Sequence, residues 1–113
     1  MHISVVELPE YLSRAEKLLT QNERDKLLYF LSTHPKAGTL IQGTGGIRKL
    51  RWAREGSGKS GGVRVIYFFY NENIPLFLLT IFAKGEMSDL SKSERNELSK
   101  FVKILISSYK KVR

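Results

Sequence analysis

Two apolar runs separated by a turn constrain this chain most. Val63 to Tyr70 is apolar nearly throughout after Arg64, and Leu76 to Ala83 (LFLLTIFA) is apolar apart from Thr80. Asn71-Glu72-Asn73 supplies turn residues between them, and Pro75 marks the turn's edge. Apolar runs of this length bounded by turn signals read as strands buried on both faces. A chain that contains two of them in succession needs an antiparallel sheet and further elements to cover it.

The segment upstream is of opposite character. Ile47 to Arg54 reads as a strand joined to Val63–Tyr70 through a glycine-rich tip, Gly56 to Gly62. Between Ile47 and Arg64 there are six bases (Arg48, Lys49, Arg51, Arg54, Lys59 and Arg64) and one acid, Glu55. Six minus one leaves +5, most of the chain's net +8, in one expected hairpin. Strand alternation places Lys49 and Arg51 on one face, with Leu50 and Trp52 on the other. The cations are thus arrayed on a stiff platform, and Trp52 is expected to pack in the core. Tyr67 lies in the doubly buried run and reads as packing. Lys59, at the tip, is a candidate phosphate contact.

The remaining elements follow from local signals. His2 to Leu8 is short and rich in β-branched residues, a strand. Pro9 suits a first helical turn, and Tyr11, Leu12, Ala15, Leu18 and Leu19 recur at helical spacing. Thr20-Gln21-Asn22-Glu23 has the capping-box form and opens a second helix, which Pro35 ends. Pro35 to Gly46 reads as a loop. It lacks the GK[ST] ending of a phosphate-binding P-loop and does not match GxGxxG. Ser91-Lys92-Ser93-Glu94 is a second capping box, before a helix with Leu98, Phe101, Val102, Leu105, Ile106 and Tyr109 on one stripe. The order is β-α-α-β-β-β-α: one α+β domain over residues 1–113, a mainly antiparallel sheet with an N-terminal helical hairpin and a C-terminal helix.

Composition narrows the chemistry. There is no cysteine, hence no disulfide or thiol chemistry. The two histidines, His2 and His34, lie far along the chain from the basic cluster, and no metal site is expected. Glu7, Glu10, Glu16 and Glu23 read as solvated face residues. No secretory pattern or membrane-spanning run is evident, which points to a soluble intracellular protein without membrane association. A strongly basic chain calls for a polyanionic partner. Catalytic groups, if any, must be lysines and arginines, and these suit phosphodiesters: arginine matches phosphate oxygens with a planar fork of donors, and lysine crowded by other cations can accept a proton. From residue types alone, a basic face used only for binding is the simpler reading.

Three runs in order (IQGTGGIRKLR, GKSGGVRVIYFF and LLTIFAKGEMSDLS) resemble the RelE/ParE superfamily of type II toxin–antitoxin toxins, and within it the HigB group. The resemblance spans Ile41 to Ser91. It implies a RelE-like fold and a metal-independent, cofactor-free endoribonuclease that cuts messenger RNA in the ribosomal A site of bacterial cytoplasm. A cognate helix-turn-helix antitoxin of the HigA type would neutralise it. By resemblance Lys49 and Arg51 contact the RNA around the cleaved phosphate, Arg64 stabilises that phosphate, and Lys84 completes a catalytic set. Arg48, Arg54, Lys59 and Phe82 would contact RNA, Phe82 by stacking on a base where close relatives carry tyrosine. Two alternatives remain open: a non-catalytic inhibitor of DNA gyrase like ParE, and a plain RNA-binding module.

Overall fold

The computed structural model describes residues 2–54, 62–85 and 91–112. Its elements are β1 (Val5–Glu7), α1 (Pro9–Leu18), α2 (Gln21–Thr33), β2 (Thr39–Leu40), β3 (Ile47–Trp52), β4 (Val63–Phe68), β5 (Leu76–Ala83) and α3 (Lys92–Val112). The strands form one sheet in the order β1-β5-β4-β3-β2. All neighbours are antiparallel except β1 and β5, which run parallel. The α+β architecture and mainly antiparallel sheet expected from the sequence are therefore present. The one element the sequence did not signal is β2, two residues within the stretch read as loop.

β4 is central, and every residue in it except Arg64 is buried. Its two faces are covered by different helices. On one side Tyr11, Ala15, Leu27 and Leu31 of α1 and α2 pack on Val63, Val65, Tyr67, Leu76, Leu78 and Ile81. On the other, Val102 of α3, with Leu98, Leu105 and Ile106, packs on Ile47, Ile66, Phe68, Phe77 and Phe82. Trp52 packs, half-buried, against the first cluster, its ring centroid 5.2 Å from that of Phe30.

A bulge in β5 reorganises these faces. Ile66 pairs with Thr80 but Tyr67 pairs with Leu78, so Leu79 is the extra residue. An inserted residue reverses the alternation beyond it. Leu76 and Leu78 face α1 and α2, whereas Phe82 faces α3 and Ile81 takes the α1–α2 side.

Both capping boxes form. Thr20 Oγ1 accepts the Glu23 backbone N–H at 3.1 Å, and the Glu23 carboxylate accepts the Thr20 N–H at 2.7 Å. Ser91 and Glu94 repeat the arrangement at 3.1 and 2.9 Å. Two of the acids read as solvated are otherwise engaged. Glu23 is buried, because the cap draws its carboxylate back over the helix end. Glu7 pairs with Arg24 at 3.3 Å. Thr20→Ala should lower the free energy of unfolding by about 1 kcal/mol, the usual value of such a cap. In urea denaturation this appears as an earlier midpoint with an unchanged slope.

Candidate nucleic-acid interface

The register of the β3–β4 ladder builds the site. Lys49 pairs with Ile66 and Arg51 pairs directly with Arg64. Residues opposite one another in an antiparallel pair project from the same face. Lys49, Arg51 and Arg64 therefore share the face that α3 covers further along, where Ile47, Ile66 and Phe68 lie beneath Val102. Lys49 stands opposite the buried Ile66, and Arg51 and Arg64 follow one pair further along, with Phe82 of the same apolar cluster across from Arg64. Arg51 is exposed, while Lys49 and Arg64 are half-buried. Arg51 and Arg64 line a hollow of about 160 Å³ with Trp52, Ala53 and Gly62.

Lys84 comes beside this ladder from the third strand. It is the first residue past β5, is exposed, and donates its backbone N–H to the Gly62 carbonyl at 3.1 Å. Gly62 is required there: a Cβ would lie 2.9 Å from the Trp52 carbonyl oxygen. After the bulge, the alternation that puts Phe82 on the α3 face, across from Arg64, brings the end of β5 beside the basic ladder, and Lys84 follows directly in the turn. Lys49, Arg51 and Arg64 thus share one face, and the backbone of Lys84 closes on Gly62 beside the start of β4.

The other expected contacts are placed differently. Arg48 projects from the opposite face, where its Nη1 donates to the carbonyl oxygens of Lys36 at 3.1 Å and Gly38 at 2.8 Å. Phe82 is only 3% exposed; it packs beneath α3, across the ladder from Arg64, which leaves little of its ring for stacking on a base. Arg54 lies two residues past β3, half-buried. Lys59 falls outside the described residues.

A grouping invisible in the sequence lies beside the cations. Glu10 and Arg14 of α1 meet Glu94, Glu97, Leu98 and Phe101 of α3 across a cleft of about 390 Å³, with Thr80 and Phe82 on its floor. Only the docking of α1 and α3 on β5 brings those acids together. Hydrogen bonds from the Ser91 N–H and hydroxyl hold the Glu94 carboxyl below its usual range, so it stays an anion committed to the helix cap. No cluster of metal-ligating side chains occurs among the described residues, and no described helix is long and apolar enough to cross a membrane.

The family model for the RelE toxin of the RelE/RelB toxin–antitoxin system matches residues 33–112. The chain belongs to the RelE toxin family. Among solved structures, a double arginine-to-alanine variant of the E. coli toxin RelE, in the free state, superposes with a TM-score of 0.59 at 22% identity. The match covers 86% of this chain and 97% of that one. The protein thus has a RelE toxin fold, and the sequence resemblance to that superfamily holds.

Arg51 and Arg64 face each other directly across the ladder, and like charges in that position oppose folding. Arg51→Thr, a strand-compatible neutral residue, should stabilise the free protein by roughly 0.5 kcal/mol. The gain should shrink as salt screens the pair. A calorimetric series at low and high ionic strength checks both parts.

Proposed function

We propose that this toxin is a metal-independent endoribonuclease that cleaves messenger RNA on the ribosome, and that a cognate antitoxin neutralises it. The observation that carries the reading is the shared face of Lys49, Arg51 and Arg64 on the β3–β4 ladder, where Arg51 and Arg64 line one hollow. A cluster of cations on a rigid ladder suits a phosphodiester, whose transition state gathers negative charge on the phosphoryl oxygens.

In this reading Lys49 accepts the proton of the RNA 2′-hydroxyl as its oxygen attacks the adjacent phosphorus. Arg64, with Arg51, holds the phosphoryl oxygens and neutralises the charge that develops on them. The bond from phosphorus to the 5′-oxygen breaks, and Lys84 stabilises or protonates that departing oxygen. The products are a 2′,3′-cyclic phosphate and a 5′-hydroxyl, with no oxidant or metal in the balance. The ribosome supplies substrate positioning that an open, shallow surface does not provide by itself.

The test is primer extension on cellular mRNA after induction, with end-group analysis of the fragments. Translation-dependent, codon-phased cuts with cyclic phosphate termini are expected. Fragments ending in a 3′-hydroxyl would remove the 2′-hydroxyl from its role as nucleophile. Arg64→Ala should lower the cleavage rate by about 10²-fold or more while reducing ribosome binding far less, because its contact strengthens as charge develops. Wild-type cleavage by that variant would end the mechanism. Binding to ribosomes should also weaken steeply with salt as counterions are released from neutralised phosphates. A salt-insensitive association would favour a protein target instead.

A further inference from the structure

We infer that Tyr67, Arg48 and Gly38 form a clamp that fixes the backbone of Lys49, and that Tyr67 and Arg48 are positioning residues for this lysine; the second half of the inference rests on the function proposed above. Lys49 sits near the sheet's edge. Its partner on the outer side is Thr39 of β2, a strand of two residues that are both exposed. So short an edge strand has little of its own to hold it in place.

The clamp supplies what β2 lacks. Tyr67 is fully buried, on the face of β4 opposite the cations. Its hydroxyl donates to the Pro35 carbonyl oxygen at 2.8 Å and accepts the Gly38 N–H at 2.8 Å. Arg48 grips the same turn through the Lys36 and Gly38 carbonyls. One phenol and one guanidinium thus bind four backbone groups between Pro35 and Gly38, immediately before β2. Gly38 completes the contact with Lys49 itself: a Cβ there would lie 2.9 Å from the Tyr67 hydroxyl and 3.0 Å from the Lys49 carbonyl oxygen. Only glycine lets the turn lie flat against both. Burial raises the Tyr67 pKa above its usual value, outweighing the hydrogen bond from Gly38 and the charge of Arg48, so the phenol remains a donor well above neutral pH.

The geometry links the two faces of β3. Adjacent residues point in opposite directions: Lys49 toward the candidate site, Arg48 toward the clamp. Arg48 therefore acts from the far side of the strand, without touching RNA.

Two variants test this in the full-length protein. Tyr67→Phe keeps the ring and removes the hydroxyl; Arg48→Met keeps the length and removes the charge. Hydrogen exchange of the free protein is the first readout, and the amides of Thr39 to Lys49 should exchange about tenfold faster in both variants, with the β4–β5 ladder unchanged. Unchanged exchange in β2 and β3 would overturn the clamp. Turnover on programmed ribosomes is the second. The cleavage rate at saturation should fall about tenfold to a hundredfold, with ribosome affinity and its salt slope at wild-type values. A lower affinity and salt slope in Arg48→Met would make Arg48 an RNA contact and overturn its positioning role. Faster exchange with unaltered turnover would show that ordering β2 does not position Lys49. If the wild-type protein cleaves no RNA, the proposed function and the positioning role fail together, while the exchange data still decide the clamp.

Discussion

Everything in this fold hangs on the burial of β4. A strand covered on both faces has no water to satisfy its backbone, so its N–H and carbonyl groups must be paired on both edges. β3 and β5 are held against it for that reason, and the register of all three is fixed by the apolar alternation that each face demands. Once the register is set, Arg51 has no choice but to stand opposite Arg64. The candidate site is thus a consequence of the core: the same ladder that buries Ile66 and Phe68 sets Lys49 opposite Ile66 and Arg51 opposite Arg64 on one face.

The two faces of β3 divide the labour. One carries Ile47 into the α3 cluster and then Lys49 and Arg51 into the site. The other carries Leu50 and Trp52 toward α1 and α2, with Arg48 on the turn at Lys36 and Gly38. Interleaving puts a structural residue between each pair of candidate functional ones. A basic strand such as IRKLRW is therefore not a uniform patch. Its cations differ in kind according to parity, although their side chains are chemically alike.

That distinction marks how far the sequence could be read. Apart from β2, the element order was legible, as were both capping boxes and the shared face of Lys49 and Arg51, because each depends on local periodicity or on a four-residue motif. The separation of Arg48 from its neighbours was available from the same alternation, yet its backbone partners were not, since they lie on a turn ten or more residues away. β2 was missed because two residues carry no periodicity. Phe82 was expected to stack on RNA; its burial depends on where α3 docks, which no local pattern states. Glu23 looked like a surface acid, but a capping carboxylate is drawn inward by the helix end it serves.

Lys84 shows most clearly why a site can exceed its motif. Strict alternation from Leu76 would put Leu78, Thr80, Phe82 and Lys84 on the α1–α2 side, away from the other cations. The extra residue Leu79 reverses that order, and nothing in LFLLTIFA signals a bulge: there is no glycine, and the neighbouring residues are all strand formers. The cause lies in the core. Tyr67 and Phe68 must face opposite layers at one end of the ladder, while Ile81 and Phe82 must do so at the other. With Leu78 placed in the first layer and Phe82 in the second, the three residues between them cannot alternate evenly, so one has to be absorbed. The bulge that solves this packing problem also carries the end of β5 round to the basic face, where the Lys84 backbone closes on Gly62. The backbone of Lys84, a candidate fourth cation, is therefore placed by the hydrophobic layers, and a core substitution that removed the bulge would displace Lys84 without touching any charged residue.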